Sequence, residues 1–213
     1  MAFNHTINTA RHFFTPGWLD QSDDPALRSQ MEKAGLALVH IPKTGGNAIS
    51  EVLNTCGPSH RTWRWYQGMS CPLIAVVRDP VDRFLSAYDY LRSGGNSGND
   101  RLFSLFYLSK DINDFVKKLE GSARRRSYYH FQEQAHYTLN GNTIMVDELV
   151  AYERLSERFP NLPVVNKTLG KRTPPEILTP QSLEIIKNIY RRDFSIHRLA
   201  LQGGCNVKGC HIP

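Results

Sequence analysis

The stretch LALVHIPKTGGNAIS occupies residues 36–50 and sets the architecture of the chain. Its first six residues form a short, almost continuous apolar run, which is typical of a strand buried on both faces of a parallel sheet. PKTGG follows as a turn, and the next residues place Ile49, Val52 and Leu53 at helical spacing. This stretch therefore predicts a strand, a glycine turn and a helix in immediate succession.

A second apolar run, PLIAVV at 72–77, repeats this order. RDP ends the run, and Pro80 suits an early helical position. VDRFLSAYDYLRS then carries apolar residues at three- and four-residue steps, which predicts a helix over 81–93. The glycine-rich stretch SGGNSGND at 93–100 is predicted to end that helix and to be the most flexible part of the chain.

The rest of the chain continues the alternation of strands and helices. We predict a helix within 111–121 that begins near Asp111 or Asn113 and ends before Gly121. The remaining predicted elements are the strand TIMVD at 143–147, the helical AYERLSERF at 151–159, a fourth strand and turn in LPVVNKT at 162–168, and a helical segment at 179–200 with Thr179 as its cap and Pro180 in its first turn. This order predicts an α/β fold with a central parallel sheet and helices on both faces.

The chain has 213 residues, which suits one α/β domain with additions, or at most two small domains. We place an irregular arm with one short helix at 1–34, the main domain at 35–200 and a tail at 201–213. The net charge of +6 favours anionic partners, although an ordinary, slightly basic enzyme has the same composition. No apolar run approaches the ~18 residues of a membrane span, and the N-terminus has no signal-like apolar segment. We therefore expect a soluble, cytoplasmic protein, and a chain separated from an anchor would show the same pattern.

The four cysteines, Cys56, Cys71, Cys205 and Cys210, are too few and too scattered for a disulfide scaffold. Cys205 and Cys210 are predicted to form a small disulfide loop or to remain two free thiols. No second pair of spaced ligands accompanies them, so no metal site is predicted.

The turn of the opening stretch has the composition of an anion-binding loop. Gly45 and Gly46 let the backbone approach an anion closely, and the first N–H groups of the following helix would point at it. Lys43 adds a full positive charge, while Thr44 and Asn47 add side-chain donors. The order differs from the nucleotide-binding G-x-x-x-x-G-K-[ST] loop, because Lys43 precedes the glycines. The alternative is a plain strand–turn–helix with an exposed lysine.

A second anion site is predicted where the next strand ends. In VVRDPVDRFLSAY at 76–88, Arg78 follows a buried strand and offers a planar fork to a phosphate, while Ser86 offers a hydroxyl. The alternative is an exposed ion pair of Arg78 with Asp79 or Asp82. Two anion sites at neighbouring strand ends together favour a nucleotide that carries both a 5′ and a 3′ phosphate.

These two motifs carry a resemblance to a known family. HIPKTGGNAI resembles the 5′-phosphosulfate loop of sulfotransferases, and VVRDPVDRFLSAY resembles their 3′-phosphate motif. The residues of both motifs are similar to those of the carbohydrate sulfotransferase group, which includes the heparan 2-O- and chondroitin 4-O-type enzymes and bacterial relatives. Softer similarities, within a resemblance that covers roughly residues 36–198, are SHRTW at 59–63, HFQEQ at 130–134, YERL at 152–155, VVNKT at 164–168 and RRDFSIH at 191–197.

The resemblance implies a P-loop-like three-layer α/β fold and the donor 3′-phosphoadenosine 5′-phosphosulfate. It implies transfer of a sulfuryl group, without a metal, to a hydroxyl or amine of a carbohydrate or small molecule. Residue by residue, it implies that the 5′ side is held by Lys43, Thr44, Gly45, Gly46, Asn47 and Ala48, and the 3′-phosphate by Arg78 and Ser86. Asn47 stands where Thr or Ser is commoner, but its amide can still donate a hydrogen bond.

The chemistry requires a cation at the leaving oxygen and a base at the acceptor. Lys43 suits the first role. His60, which resembles a histidine that the relatives place before their second strand, is the first candidate for the base, and His130 is the second. Weaker candidates are Glu133, Glu51 and His136, while His40 is expected to be structural within its strand.

ARRRS at 123–127, with Tyr128, Tyr129 and His130, is a candidate binding segment for an acidic or sugar acceptor. The alternative is a solvated helix face. Two other function classes compete with the sulfotransferase: a P-loop-like kinase or nucleotide hydrolase, and a basic nucleic-acid-binding module. We expect the nucleotide donor and the acceptor as partners, and neither a nucleic acid nor a membrane.

Overall fold

The computed structural model describes residues 24–55, 60–163 and 172–212. In chain order its elements are α1 (Pro25–Ala34), β1 (Ala37–Val39), α2 (Gly46–Val52), a 3₁₀ turn (Trp63–Tyr66), β2 (Leu73–Val77), α3 (Pro80–Arg92), α4 (Gly98–Tyr107), α5 (Ile112–Glu120), α6 (Ala123–Arg126), α7 (Gln134–Thr138), β3 (Leu139–Asn140), β4 (Thr143–Ile144), β5 (Glu148–Ala151), a 3₁₀ turn (Tyr152–Arg154), α8 (Leu155–Arg158), a 3₁₀ turn (Pro175–Ile177), α9 (Pro180–Ile189), α10 (Arg191–Leu201) and β6 (Gly204–Cys205).

The central sheet has four strands in the order β1-β2-β5-β6. β1, β2 and β5 run parallel, whereas β6 pairs antiparallel with β5. The predicted parallel α/β sheet is therefore confirmed for β1, β2 and β5. It is wrong for β6, which makes the sheet mixed. β6 comes from the C-terminal tail and pairs through two residues only, so no apolar period marked it as a strand.

Successive side chains of a strand point to opposite faces of the sheet. Both faces are covered by helices. On one face, Ala37 and Val39 of β1 share a buried cluster with Met31 of α1 and Ile196 of α10. On the other face, Leu38 of β1 packs in a cluster that includes side chains of α2 and α8. A third buried cluster joins α3, α4, α5 and α9 beside the sheet.

The third sheet strand lies later in the chain than the sequence indicates. TIMVD was predicted as the strand, but Thr143–Ile144 pairs in a hairpin with Leu139–Asn140, and Glu148–Ala151 enters the sheet. Asp147 lies between the hairpin and the sheet strand. Its carboxylate accepts the N–H of Leu73, at the start of β2, at 2.8 Å. Both runs are apolar and short, so tertiary pairing selects between them.

The glycine-rich stretch ends α3 as predicted, but its second half begins another helix. Ser97 accepts the N–H of Asp100, and Asp100 accepts the N–H of Ser97, which forms a capping box at the start of α4. Asp100 is fully buried. The predicted helix end is therefore confirmed, whereas the start of α4 within the same stretch was not predicted.

Most other predicted elements are confirmed. Asp111 rather than Asn113 caps α5, and Gly121 follows its end. Thr179 caps α9, and the helical segment divides at Tyr190 into α9 and α10. Cys71, Cys205 and Cys210 are free thiols.

Some predictions fall wholly or partly on residues outside the described ones. Of the predicted arm, α1 is described and residues 1–23 are not; of the predicted fourth strand, 164–168 lies outside. In the described parts of the chain, no helix is both long enough and apolar enough to cross a bilayer.

Candidate functional site

Three loops meet at the carboxyl edge of the parallel strands, where α/β sheets place their ligands. The loop after β1 carries Lys43, β2 leads directly into Arg78, and β5 leads into Tyr152. The Arg78 guanidinium lies 4.7 Å from the centre of the Tyr152 ring. A Cβ added to Gly45 would lie 3.1 Å from the same ring. The two sites predicted from sequence are thus neighbours.

The backbone of the loop after β1 is shaped to present donors. Lys43 and Gly45 both have positive φ, at 70° and 83°, and Gly45 precedes the first residue of α2. None of the N–H groups of residues 43–47 donates a hydrogen bond to a described residue. Successive N–H groups in such a turn form a concave site for an anion.

Some side chains of the loop are buried and hold its shape, and others are exposed to solvent. Thr44 is buried and its hydroxyl donates to the carbonyl of Ile41 at 2.9 Å, so only its N–H is available to a ligand. Asn47 is exposed, and the N–H of Ala48 is bonded to Gly45. Gly46 lies against the His40 ring, where an added Cβ would come within 2.0 Å of Cδ2. His40 therefore packs against the loop, one residue beyond the end of β1 rather than within the strand as predicted.

The ammonium of Lys43 points across the site. Its Nζ lies 4.0 Å from the centre of the Tyr90 ring, and it forms no ion pair with a described carboxylate. Burial, followed by the positive charge of Arg78, lowers the pKa of Lys43 to about 8, while Asp100 acts in the opposite direction. Two cations therefore share one partly buried site.

The backbone of Arg78 is bonded through both its N–H and its carbonyl to one side chain. The Gln134 side chain accepts the N–H of Arg78 at 2.9 Å and donates to its carbonyl at 2.8 Å. Asp193 accepts the N–H groups of Gln134 and Ala135, each at 2.9 Å. Arg83, also fully buried, lies 3.8 Å from Asp193. The segments HFQEQ and RRDFSIH thus act together as the support of Arg78.

The guanidinium of Arg78 is buried and incompletely paired. Among the described residues, its one ion pair is a 3.5 Å contact with Asp82, and its Nε has no hydrogen-bond partner. Asp79 instead caps α3 by accepting the N–H groups of Val81 and Asp82. A buried donor without a partner is uncommon in folded proteins, and an anion or water bound beside Arg78 would supply the missing acceptor.

Ser86 lies on the helix face that borders this site. It is four residues after Asp82, which contacts Arg78, and four residues before Tyr90, which contacts Lys43. Side chains four residues apart on a helix lie on the same face. Ser86 therefore lies between the contact points of the two cations.

His60 lies in the same site. Its Nδ1 is 3.3 Å from the carbonyl oxygen of His40, and its ring stacks on Tyr129 at 5.2 Å between centroids. Since a carbonyl can only accept, this contact places the proton on Nδ1 and leaves the lone pair on Nε2. Burial, followed by the neighbouring His130, lowers the pKa of His60 to about 4 despite the contact with His40. His60 is thus neutral near pH 7 and able to accept a proton.

Tyr90, Tyr128, Tyr129 and His130 form a wall beside His60, and all four contact Asp100. Sequence reasoning did not identify Asp100. Its carboxylate accepts hydrogen bonds from Tyr128 at 2.6 Å, Tyr129 at 2.5 Å and Tyr90 at 2.9 Å. Burial alone would raise the pKa of Asp100, but contacts from His130 and the tyrosines lower it far below its ordinary value. Gly95 permits this arrangement, because an added Cβ would lie 2.2 Å from that of Asp100. The capping pattern at Ser97 was the available signal.

His130, the second candidate base, belongs to this wall. Its Nε2 lies 3.3 Å from Asp100, but both ring nitrogens are buried and lack an aligned hydrogen bond within the described structure. Burial, more than the opposing effect of Asp100, lowers the pKa of His130 to about 4. Arg83 holds its carbonyl at 3.1 Å. The geometry therefore favours His60 over His130 for contact with a substrate.

The weaker candidates have other surroundings. Glu133 pairs with Arg192 at 2.7 Å, Glu51 is exposed on α2, and His136 stacks edge-on against Tyr137. In the ARRRS segment, two arginines bind backbone carbonyls, Arg125 that of Tyr107 and Arg126 those of Leu119 and Glu120. These bonds tie the segment to α4 and α5.

Within the described ranges, no group of three or more His, Cys, Asp or Glu side chains is arranged to hold a metal ion. A scan against protein-family models found no match, and neither did searches of curated proteins and of solved structures.

Proposed function

We propose that the chain is a sulfotransferase that moves a sulfuryl group from 3′-phosphoadenosine 5′-phosphosulfate to a hydroxyl of a carbohydrate or small-molecule acceptor. The observation that carries this proposal is the pair of cations at the strand ends. Among the described residues, Lys43 has no carboxylate partner and the Nε of the buried Arg78 has no hydrogen-bond partner. A bound anion would compensate the charge of Lys43 and complete the pairing of Arg78, whose ion pair with Asp82 is 3.5 Å long.

The arrangement supports a donor with phosphates at two places. Lys43 and the N–H groups of residues 43–47, which donate to no described residue, would bind one phosphate, and Arg78 with Ser86 would bind the other. A bisphosphorylated nucleotide would occupy both phosphate-binding positions, whereas a single phosphate would leave one of the two cations without an anion. The strand–turn–helix at β1 and the helices on both sheet faces agree with a P-loop-like three-layer architecture for this donor site.

In the proposed reaction, the acceptor oxygen attacks sulfur as the bond from sulfur to the 5′-phosphate oxygen breaks. His60 takes the acceptor proton on Nε2, and Lys43 stabilises the negative charge that forms on the departing phosphate. The donor's negative charges would raise the pKa of His60 and make it a stronger base. Tyr129, stacked on His60, holds the ring in place.

Calorimetry with adenosine 3′,5′-bisphosphate tests the donor site. Lys43→Ala is expected to weaken binding about 10–100-fold, because it removes a charge-assisted contact with phosphate. Lys118→Ala is the matched control, since Lys118 is an exposed lysine paired with Asp114. Tight binding of magnesium–ATP with no binding of the bisphosphate would instead favour a kinase or nucleotide hydrolase.

The pH dependence of binding follows from Lys43. Since its pKa is lowered to about 8, the ammonium loses its proton as the pH rises through that value. Affinity for the bisphosphate is therefore expected to fall above pH 8, by at most about tenfold per pH unit. Calorimetry in buffers of different ionisation enthalpy should detect proton uptake on binding near pH 8.5. Lys43→Arg should flatten this dependence, and an unchanged slope in that variant would exclude Lys43 as its source.

A further inference from the structure

Helix α4 carries an apolar ridge on its outer face. Leu102, Leu105 and Phe106 are 50%, 74% and 68% exposed and follow one another at helical spacing. The inner face of α4 holds Asp100 and Phe103, both fully buried. The helix is therefore apolar on the side where a surface helix is usually polar.

Arginines lie on α4 and next to its C-terminal end, and we call them the rim of the ridge. Arg101, exposed on α4 itself, lies on the same face as Leu105. At the end of the helix, Arg124 donates to the Tyr107 hydroxyl at 3.3 Å and Arg125 to the Tyr107 carbonyl at 3.1 Å. Arg92 is exposed at the end of α3, beside the Leu91 carbonyl that Ser104 of α4 binds at 2.6 Å. The only acidic residue of α4 is the buried Asp100.

From this ridge and its rim we propose that the outer face of α4 docks on the surface of an anionic phospholipid bilayer. Phe106 and the two leucines would enter the boundary between headgroups and acyl chains, and the arginines would contact lipid phosphates. The sequence analysis expected no membrane partner, and this proposal departs from it. It gives the ARRRS segment a role and does not rest on the proposed catalytic function.

A bilayer fits this surface better than a second protein chain. The three apolar side chains stand on one convex helix and expose only a few hundred Å², less than the ~800 Å² that each partner of a stable complex usually buries. Exposed Phe and Leu side chains accompanied by basic residues are the composition of helices that insert an apolar face into a membrane interface. The complementary charge is supplied by acidic headgroups.

Vesicle cosedimentation of the full chain tests the proposal. We expect binding to vesicles of phosphatidylcholine with 30% phosphatidylserine, at least fivefold weaker binding to phosphatidylcholine alone, and loss of binding at high salt. The double change Leu105→Ser, Phe106→Ser should weaken binding at least tenfold, and Arg124→Ala about fivefold. Leu201→Ser and Arg158→Ala, at an exposed leucine of α10 and an exposed arginine of α8, are the matched controls and should bind as the parent chain does.

A spectroscopic variant guards against misfolding of the double change. Phe106→Trp should show a blue-shifted emission and quenching by brominated lipid only with anionic vesicles. Equal binding to neutral vesicles, no binding at all, or concentration-dependent dimerisation abolished by the double change would each overturn the proposal. The last result would identify a second copy of the chain as the occupant. Because the vesicles need no nucleotide, these outcomes are independent of the calorimetric test above.

Discussion

Replacement of Asp100 by alanine is expected to lower the free energy of unfolding by about 3–5 kcal/mol. The carboxylate is 1% exposed and accepts three tyrosine hydroxyls and the backbone N–H groups of Asn96 and Ser97. Its loss removes the carboxylate acceptor that the three hydroxyls share and the capping box of α4. Urea denaturation followed by circular dichroism measures the change.

Two further variants separate the contributions to this effect. Asp100→Asn keeps the shape and one acceptor oxygen, so its cost should lie between that of alanine and zero. Glu157→Ala is the surface control, because it removes an exposed carboxylate paired with Arg154 and should change stability by less than about 1 kcal/mol. If Asp100→Ala cost no more than this control, the tyrosines would not depend on Asp100 for their placement.

The second large effect concerns turnover. His60→Ala is expected to reduce turnover about 10²–10⁴-fold, the usual contribution of a positioned general base, with little change in affinity for adenosine 3′,5′-bisphosphate. Release of the bisphosphate with a panel of phenolic and oligosaccharide acceptors provides the assay. The reason is geometric: the His40 carbonyl fixes the Nδ1 proton, and Nε2 keeps its lone pair.

His130→Ala should behave differently from His60→Ala. His130 is buried behind Tyr129, so its loss should reduce stability together with turnover. His211→Ala, at an exposed position of the tail, is the control and should leave both unchanged. Full turnover in the His60 variant, with a large loss in a stably folded His130 variant, would assign the base to His130.

Residues at strand ends were predictable because the neighbouring residues in the sequence determine where a strand ends. Lys43 and Arg78 each follow an apolar run, and parallel strands bring such positions to one edge of the sheet. His60 was selected through the family resemblance rather than from spacing, and the structure brings it beside His40. Ser86 followed from the helical period, because its neighbours at four-residue steps contact the two cations.

Residues held by long-range contacts were not predictable in the same way. Gln134 secures Arg78 across 56 residues, and Asp193 secures Gln134 across another 59. Nothing in the local pattern of HFQEQ or RRDFSIH indicates that the two segments meet. The strand at Glu148–Ala151 was misplaced for a related reason, since two neighbouring apolar runs competed and pairing with β2 selected one of them.

The sequence by itself determined that a strand, a glycine turn and a helix follow one another at 36–50, and that cations stand at two strand ends. These features depend on periodicity and on the conformational freedom of glycine, which act over a few residues. Only the tertiary structure decided that Asp100, from a glycine-rich stretch, becomes the buried anchor of the site wall. Its ionised state depends on hydroxyls from distant parts of the chain, because a carboxylate can be buried only where several donors converge on it.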